Sequence, residues 1–450
     1  MVVINLPDDV KFIIDTLESR GFEAYAVGGC VRDSIMGKLP YDWDVCTSAL
    51  PEQTMQTFAG QRIIETGLKH GTVTLMLNGN PYEITTFRTD GKYTDNRRPD
   101  KVKFVNVLKR DLARRDFTIN SLAYNPKTDI IDYYGGVEDL RAGVIKCVGN
   151  ANKRFQEDAL RIMRALRFAS VFGFVVDGDT AKAMHENKKL LRNIAVERIA
   201  AEFNKLLLGD GARQVLSAHI EIIAEIIPEI TSAVGFKQNN PYHCYDVLTH
   251  ILYGVEAAPK DLILRLTLFF HDIGKPASYT ESDGGTGHFY GHAQISSDMA
   301  YEILQKLRYD NDTIKAVTQL VSFHDCEINR RQHIKRWLNK IGEERFRQLI
   351  EVKKADAAAQ AMAVRADRIN ALNGILVMLD EIIAQNQCFS LKDLSVTGRD
   401  LMDAGVSEGK QIGAILDKLM DMVINEEAEN DKTALLEIAK EQIKEEVQRI

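Results

Sequence analysis

The first third of the chain alternates short strand-like runs with turn-forming residues. From about residue 22 to 148, the runs FEAYAVG, YDWDVCT, TVTLML and YEITTFR combine apolar and β-branched residues at the two-residue spacing typical of strands. The NGN turn between the last two runs predicts a β-hairpin. A helix is predicted to open at the Gly28-Gly29 pair, between the first two runs. The pattern therefore predicts a mixed sheet with helices.

Beyond Asn150 the pattern changes to helical periodicity. The segments EDALRIMRALRFASVF and VERIAAEFNKLLL carry apolar residues three and four positions apart, and similar segments continue to the end of the chain. Glycine and proline breakers divide this region. The sequence predicts an α+β protein in which residues 1–150 form a domain of strands and helices, and residues 151–235, 236–365 and 366–450 form three all-α domains.

Composition and charge narrow the class of protein. The 450 residues have 45% hydrophobic content, which is enough for several domain cores. No apolar run approaches the roughly 20 residues that a membrane span needs, and the N-terminus lacks the pattern of a secretory signal, so we expect a cytoplasmic protein without a membrane partner. The net charge of −7 argues against a positively charged surface that binds nucleic acid without selectivity, so any RNA contact must be made by local groups of basic residues.

The stretch AVGGCVRDSIMGKLPYDWDVCTS carries the first pattern with chemical meaning. It consists of a strand, the Gly28-Gly29 turn, a helix with Arg32 in its first turn, and a second strand with Asp42 and Asp44. A glycine pair at such a turn lets the backbone approach a polyphosphate, and Arg32 can add positive charge there. Side chains two apart on a strand leave the same face, so both carboxylates can bind Mg²⁺. The pattern favours metal-assisted attack of a 3′-hydroxyl on a nucleoside triphosphate.

Glu83 is a third candidate carboxylate. The predicted hairpin returns the YEITTFR run beside the first strands, which would bring Glu83 near the two aspartates. We therefore expect a catalytic group of Asp42, Asp44 and Glu83.

These segments resemble the head domain of the class II transfer-RNA nucleotidyltransferase and bacterial poly(A) polymerase family, a branch of the polymerase β superfamily. Further matches extend over roughly residues 20 to 210. RRDFTINSLAYN resembles the ribose-contacting segment, DYYGG the hinge, EDALRIMRALRFA the nucleotide-selecting helix and ERIAAEFNKLLL the neck helix. The resemblance implies a polymerase-β-like nucleotidyltransferase head with Mg²⁺, followed by a helical neck.

The stretch TFRTDGKYTDNRRPDKVKFV resembles the flexible loop of the same family. Relatives restricted to adding C have a shortened loop, whereas this polar stretch is uninterrupted. It contains Arg88, Asp90, Lys92, Asp95, Arg97 and Arg98. The resemblance therefore favours addition of A as well as C.

Asp158 and Arg161 lie three apart in a predicted helix, and therefore side by side on one face. A carboxylate acceptor beside a guanidinium donor matches the amine and ring nitrogen shared by cytosine and adenine. The resemblance assigns this templating role to the pair, with Glu157 as an orienting neighbour; the alternative is an ordinary surface ion pair. The rest of the expected nucleotide site comprises Arg115 and Asp116 as ribose contacts, and Arg164 and Arg167 on the basic helix.

Seven of the ten histidines lie between residues 243 and 333. Imidazoles and carboxylates from separate helices are the ligand set of a transition-metal hydrolase. The arrangement resembles the HD phosphohydrolase superfamily, in which the domain of fused enzymes hydrolyses 2′,3′-cyclic phosphates or 2′-nucleotides. His250 is expected only as a neighbour of the site. The resemblance implies a divalent transition metal (Mn, Ni, Co or Fe) bound by His243, His271, Asp272 and Asp356, with His292 and His324 completing a second metal site.

Three functions fit the sequence. The leading interpretation is template-independent addition of CCA to the 3′ end of tRNA from CTP and ATP, with a phosphohydrolase domain behind it. A poly(A) polymerase would add A only, but the mixed charge of the terminal AKEQIKEEVQRI differs from the basic tail typical of those enzymes. The third function is that of a phosphohydrolase with a vestigial RNA-binding head. The presence of Asp42, Asp44 and Arg161 argues against decay of the head. The implied partners are tRNA, CTP and ATP, and the sequence indicates no protein partner.

Overall fold

The structure is a computed structural model that describes residues 4–65, 67–91, 102–406 and 409–447. The chain forms two compact units, one comprising Met1–Thr231 and Lys306–Tyr309, the other Ser232–Gln305 and Asp310–Ile450. The division into four domains remains a prediction. Among the residues that the structure describes, no helix combines the length and apolar character needed to cross a bilayer.

A mixed sheet forms the centre of the first unit. The described strands of this unit are β1 Ala24–Val27, β2 Asp44–Thr47, β3 Arg62–Ile64, β4 Thr72–Leu77, β5 Asn80–Thr86, β6 Arg88–Asp90, β7 Val102–Phe104, β8 Leu122–Asn125, β9 Asp129–Asp132, β10 Val144–Ile145 and β11 Val175–Val176. Seven of them form one sheet in the order β3-β4-β5-β2-β1-β8-β9. Within it β2 and β5 are parallel, and the other neighbouring strands are antiparallel. The α+β class with a mixed sheet is confirmed.

Alternating burial explains why these runs form strands. Along β4 the side chains of Val73, Leu75 and Leu77 are buried, whereas the residues between them are half-buried. This two-residue period presents one apolar face to the core. Helix α1, Asp8–Ser19, packs on that core through Val10, Ile13, Ile14 and Leu17, which lie on one helical face.

Nine further helices complete the described residues of the first unit. They are α2 Gly29–Ile35, α3 Pro51–Thr57, α4 Leu108–Ala113, α5 Gly136–Ala142, α6 Ala151–Glu157, α7 Leu160–Phe172, α8 Gly178–Asn187, α9 Val196–Leu207 and α10 Ala212–Ile223. Helix α7 contacts α9 extensively, and nine of its residues are buried. The periodic apolar residues at 157–172 and 196–208 therefore form the faces through which these helices pack.

The predicted continuous helix from residue 157 to 172 is interrupted at Asp158. This residue has an extended backbone, with φ −138° and ψ 104°, so α6 ends at Glu157 and α7 begins at Leu160. The Asp158 carboxylate accepts a hydrogen bond from the Leu160 N–H at 3.1 Å. Such side-chain-to-backbone bonds compete with helical hydrogen bonding, which explains the break.

The second unit is almost entirely helical in its described residues. Its helices are α11 Val247–Ala257, α12 Leu262–Phe270, α13 Lys275–Ser278, α14 His292–Lys306, α15 Asn311–Phe323, α16 Arg331–Ala358, α17 Met362–Ala384, α18 Gly398–Asp403, α19 Gly409–Ile424 and α20 Lys432–Val447, and its short strands are β12 Thr280–Glu281 and β13 Gly287–His288. Seven of the nine residues of α12 are buried, which places the end of this helix deep in the unit. A separate apolar cluster between Cys388 and Ala439 gives the last helices a core of their own.

Candidate functional site

The Gly28 turn joins β1 to α2, whose first residue is Gly29, and has a backbone conformation that only glycine adopts readily. Its φ of 84° and ψ of −126° would strain any residue with a side chain. A Cβ atom at Gly28 would also lie 2.7 Å from Nη1 of Arg115. The Gly28 N–H donates to the Leu122 carbonyl at 2.9 Å. Glycine therefore allows the Arg115 guanidinium to lie against the turn.

Asp44 and Glu83 lie side by side on neighbouring parallel strands. The register of β2 with β5 pairs Asp44 with Glu83, so both side chains leave the same face of the sheet. Both residues and Asp42 are exposed. The Asp44 and Glu83 carboxylates therefore lie together on an accessible part of the sheet, with Asp44 at the start of its strand.

Asp42 does not lie on the strand, contrary to the sequence prediction. Strand β2 begins at Asp44, and extending its register with β5 would place Asp42 opposite Pro81, which has no N–H to donate. On the other side β1 ends at Val27, where the chain turns into α2. The two-residue spacing along a strand therefore does not explain how Asp42 comes near Asp44.

The environment raises the pKa of Asp44 to about 6. Part of the residue is exposed, but protein atoms surround its carboxyl group. The resulting loss of hydration is the largest cause of the raised pKa. The Arg115 guanidinium opposes the shift, whereas the negative charges of Asp42 and Glu83 increase it. A divalent cation would relieve this repulsion, and Mg²⁺ prefers carboxylate oxygens. The three carboxylates therefore fit a Mg²⁺ site.

A chain of mostly buried polar contacts runs next to Arg115, which donates to the Asn120 carbonyl at 3.5 Å. Arg32 donates to Oδ1 of Asn120, and Nδ2 of Asn120 donates to Oδ1 of Asp116 at 3.1 Å. Arg164 then donates to Oδ2 of Asp116 through Nε at 2.8 Å. The chain links α2, the turn before β8, and α7. Asn120 was not among the predicted site residues, although it lies in the RRDFTINSLAYN segment.

Asp116 and Arg32 are both occupied by protein partners. Burial alone would raise the pKa of Asp116, but the Arg164 charge and hydrogen bonds from Asn120 and Arg164 outweigh it and hold the pKa well below its usual range. Arg32 is 8% exposed and also pairs with Asp33 at 2.8 Å. The roles predicted for these residues in ribose and phosphate contact remain predictions.

Asp158 and Arg161 do not share one helical face, because the helix breaks at Asp158. Arg161 instead pairs with Glu157 at 2.9 Å and donates to the backbone carbonyls of Arg154 at 3.1 Å and Arg114 at 3.0 Å. Asp158 lies 3.7 Å from the Arg198 guanidinium. The expected helical pair is therefore corrected to two neighbouring ion pairs, Arg161 with Glu157 and Asp158 with Arg198.

The remaining arginines of α7 pack against α9. Arg167 pairs with Glu202 at 3.1 Å, and its guanidinium lies 4.0 Å from the centroid of the Phe168 ring. Arg164 also lies 4.0 Å from Glu202. A buried Glu202 thus holds both arginines, a partnership that single-sequence periodicity does not indicate.

Only a portion of the predicted flexible loop falls within the described residues. Arg88 and Asp90 belong to β6 and approach each other at 3.7 Å. The loop residues outside the described ranges of the chain are Lys92, Asp95, Arg97 and Arg98.

A buried group of histidines and aspartates forms a second centre, in the second unit. Nε2 of His250 lies 3.2 Å from Oδ2 of Asp272 and 2.8 Å from Oδ1 of Asp356. Nε2 of His271 lies 3.2 Å from the same Asp272 oxygen. On the other side Oδ1 of Asp272 lies 3.4 Å from His292 and 3.6 Å from His324. Asp272 therefore stands between two sets of imidazoles.

Backbone carbonyls fix the orientation of all four imidazoles. The Nδ1 atom of His250 lies 3.2 Å from the Ala359 carbonyl oxygen, and that of His271 lies 2.7 Å from the Leu268 carbonyl oxygen. The Nδ1 atom of His292 lies 2.8 Å from the Phe289 carbonyl oxygen, and that of His324 lies 2.7 Å from the Val321 carbonyl oxygen. A carbonyl only accepts, so each Nδ1 carries a hydrogen and each Nε2 is directed toward the centre, where it can bind a proton or a metal ion. This is how proteins orient histidine ligands for a metal.

The converging nitrogen and carboxylate oxygen atoms favour positive charge between them. The Nε2 atoms of His250 and His271 are 3.3 Å apart. Burial lowers the pKa of His271, but the carboxylates of Asp272 and Asp356 outweigh it and raise the pKa to about 10. The centre thus attracts positive charge strongly. Its residues fit a divalent transition metal, which favours imidazole nitrogen together with carboxylate oxygen.

Known proteins resemble this chain over nearly its whole length. A model described as the poly A polymerase head domain matches residues 24–146, a probable RNA and SrmB-binding site of polymerase A matches 173–233, and a putative tRNA nucleotidyltransferase domain 2 matches 288–439. The CCA-adding enzyme of Lactobacillus delbrueckii subsp. bulgaricus is 35% identical, over 94% of this chain and 95% of the relative. That of Ligilactobacillus salivarius is 34% identical, over 99% and 100%. The chain belongs to the CCA-adding enzyme family.

Solved CCA-adding enzymes share the fold. The Bacillus stearothermophilus CCA-adding enzyme in complex with CTP is 30% identical and aligns with a TM-score of 0.70, covering 98% of each chain. The Thermotoga maritima CCA-adding enzyme complexed with tRNA aligns over 98% of this chain and 97% of its own, with a TM-score of 0.62. At 18% identity the second likeness concerns the fold alone. The head match at 24–146 contains Asp42, Asp44 and Glu83.

In this CCA-adding enzyme family member, His250 takes the position expected of His243. The described residues that converge as possible metal ligands are His250, His271 and Asp272 in one group, and Asp272, His292 and His324 in the other. His243 precedes α11, and its ring centroid lies 5.1 Å from that of His250. Burial and the nearby Lys275 charge lower the pKa of His243 to about 3. The geometry therefore favours His250, on the buried face of α11, as a ligand, and the ligand role of His243 remains a prediction.

Proposed function

We propose that this chain adds CCA to the 3′ end of tRNA from CTP and ATP, by template-independent nucleotidyl transfer in its first unit. The observation that carries the proposal is the pairing of Asp44 with Glu83 on parallel strands beside the Gly28 turn. CCA-adding relatives align over nearly the whole chain, and the Bacillus stearothermophilus enzyme was solved with CTP. We place the activity in the cytoplasm, as expected from the sequence.

Asp42, Asp44 and Glu83 would hold Mg²⁺ in this reaction. When bound, Mg²⁺ neutralises the triphosphate and acidifies the attacking 3′-hydroxyl. Gly28 leaves the backbone open to the polyphosphate, because no side chain covers the turn. Arg115 lies against the same turn and counters the carboxylate charge, as its effect on the Asp44 pKa indicates. We assign Arg115 and Arg32 to the phosphate and ribose side of the nucleotide.

We further propose that Asp158 and Arg161 choose the base. Glu157 and the two backbone carbonyls hold the Arg161 guanidinium in place. Asp158 would exchange its contact with Arg198 for the exocyclic amine of cytosine or adenine, while Arg161 donates to the ring nitrogen. Guanine and uracil present a carbonyl to Asp158 and leave it unpaired, at a cost of about 1–3 kcal/mol.

Extension of a tRNA ending at its discriminator base tests this function. The protein is incubated with Mg²⁺ and labelled CTP, labelled ATP, or both. We expect CTP alone to extend the tRNA, ATP alone to leave it unextended, and the mixture to complete CCA. Runs of A from ATP alone would instead identify a poly(A) polymerase. The absence of any extension would refute both polymerising functions.

A second function is favoured by the histidine centre. Four imidazoles oriented by backbone carbonyls, with Asp272 and Asp356, support a metal-dependent phosphohydrolase in the second unit. When bound, Mn, Ni, Co or Fe would acidify a water for attack on a phosphoester. The expected substrates are 2′,3′-cyclic phosphates or 2′-nucleotides. Release of phosphate from cytidine 2′-monophosphate, or opening of the 2′,3′-cyclic form, after reconstitution with each metal tests this; no turnover with any of them would refute it.

A further inference from the structure

The mouth of the cavity beside the histidine centre carries side chains that metal binding does not use. The cavity has a volume of about 330 Å³ and reaches His292, His324 and Asp356. Tyr290, which is 77% exposed, and Arg368 lie at its rim. This volume is within the range of pockets that bind small organic ligands. The rim therefore offers the exposed Tyr290 ring and the cationic Arg368 side chain to a ligand that reaches the metal ligands.

Arg368 is connected to the histidine centre by hydrogen bonds through Gln360 to Asp356. It lies on α17 and donates to Oε1 of Gln360, whose Nε2 donates to Oδ2 of Asp356 at 3.2 Å. Its guanidinium carbon lies 5.3 Å from the centroid of the Tyr242 ring. The Tyr242 carbonyl in turn accepts the Ala361 N–H at 3.0 Å, at the start of α17. Among the described ion pairs none involves Arg368, so its charge is available to an anion.

Tyr290 forms a flat platform at the other side of the mouth. Its ring is parallel to that of His288, with 8° between the planes and 5.4 Å between the centroids. The Tyr290 hydroxyl lies 3.4 Å from Nδ1 of His288. One face of the tyrosine is therefore supported by the imidazole, while most of the side chain remains accessible. Bases stack on such platforms without regard to their identity, because every base has a π face.

We propose that Arg368 and Tyr290 form a nucleotide clamp for the second unit: Arg368 binds phosphate oxygens and Tyr290 stacks on the base. The inference rests on the proposed phosphohydrolase and adds how its substrate is held. A guanidinium donates through a planar fork that matches phosphate, and among the described residues Gln360 is its one hydrogen-bond acceptor. The clamp selects nucleotides over simple phosphoesters but discriminates little among bases.

A tryptophan introduced at the platform reports the clamp directly. The full-length Tyr290→Trp variant, freed of metal, is titrated with cytidine 2′-monophosphate, with cytidine and with inorganic phosphate, and its fluorescence is followed. The unaltered chain provides the background from Trp43 and Trp337. The matched control is Tyr301→Trp, since Tyr301 is 46% exposed on α14 and does not line the cavity. We expect saturable quenching by the nucleotide in Tyr290→Trp and none in Tyr301→Trp.

Adding Arg368→Gln to Tyr290→Trp should weaken nucleotide binding by about tenfold, to the level of cytidine. Without metal, phosphate should not quench. Absence of saturable quenching in Tyr290→Trp, or equal quenching in Tyr301→Trp, overturns the clamp. If Tyr290→Ala and Arg368→Gln hydrolyse the substrate with an unchanged KM, the clamp is also overturned, whereas the proposed phosphohydrolase function stands. Saturable quenching without turnover in any metal would retain the clamp and refute the hydrolase.

Discussion

Arg164 donates two hydrogen bonds to one carboxylate oxygen of Asp116, through Nε at 2.8 Å and Nη2 at 2.5 Å. The other oxygen accepts from Asn120 and from the Phe117 N–H. Asp116 is buried, at 7% exposed, so these bonds replace its contact with water. The pair fastens helix α7, which carries the proposed base-selecting arginine, to the segment that leads into the sheet.

Arg164→Ala should therefore destabilise the first unit. Removal of the guanidinium leaves a buried carboxylate without its cationic partner, which costs about 3–5 kcal/mol. The control is Arg192→Ala, whose pair with Glu225 at 2.8 Å is exposed on the arginine side, and which should cost less than about 1 kcal/mol. Denaturant unfolding at pH 7 measures both. Equal losses for the two variants would contradict the account.

The same pair predicts a pH dependence. The folded pKa of Asp116 is held below its usual range, so the stabilisation is complete above about pH 4, the pKa of an unfolded aspartate, and is lost as the pH falls through the folded pKa. The difference in stability between the wild type and Arg164→Ala should accordingly shrink below about pH 4. A difference that stays constant from pH 3 to pH 7 would show that the carboxylate charge is not involved.

Asp44→Asn should stabilise the metal-free protein. The folded pKa of about 6 exceeds that of an unfolded aspartate, so ionised Asp44 opposes folding. The cost is absent below about pH 4, grows as the pH rises to 6, and is complete above it. Because Asp44 is exposed, solvent reduces the gain to about 1 kcal/mol. Thermal unfolding without Mg²⁺ should show a higher midpoint for Asp44→Asn at pH 7.5 and equal midpoints at pH 4; a lower midpoint at pH 7.5 would refute this.

Arg161→Ala should relax base selection more than it weakens triphosphate binding. Loss of one donor to the ring nitrogen should reduce discrimination of CTP against UTP by about 10- to 100-fold, or 1–3 kcal/mol. Competition between labelled CTP and UTP during tRNA extension measures it. The control is Lys153→Ala, because Lys153 is exposed on α6. Selectivity equal to that of the control would remove Arg161 from the templating role.

The choice between His250 and His243 as metal ligand has its own test. His250→Ala should lose bound Mn or Co, because its Nε2 faces both Asp272 and Asp356, whereas His243→Ala should retain the metal. Metal content after dialysis, measured by mass spectrometry, decides between them. His333→Ala serves as a histidine control outside the centre. Loss of metal from His243→Ala alone would restore the sequence assignment.

Sequence patterns predicted the elements that depend on local spacing. Alternation along Thr72–Leu77 and the NGN turn correctly indicated β4 and β5, and the helical stripes correctly indicated α9 and most of α7. The break at Asp158 was missed, since a hydrogen bond from one backbone N–H to its carboxylate overrides the apolar stripe. Elements that depend on local periodicity were thus accessible from the sequence alone.

Site geometry depended on contacts between distant positions. Glu83 was placed near Asp44 by the hairpin, but the parallel pairing that sets them side by side involves positions 39 residues apart in sequence. Asn120 bridges Arg32 and Asp116 across three segments, which no single-sequence pattern indicates. The choice between His243 and His250 required knowing where α11 begins and which face it buries.

The most direct test of the account compares Asp44→Asn with Glu52→Gln, an exposed carboxylate on α3, in single-turnover transfer of labelled CMP to tRNA with Mg²⁺. We expect Asp44→Asn to lower the rate by more than about 100-fold, because altering only the partners of a metal ligand already costs up to about 100-fold. Glu52→Gln should retain the wild-type rate. Transfer by Asp44→Asn within a few-fold of the wild type would contradict the claim that this carboxylate holds the catalytic metal.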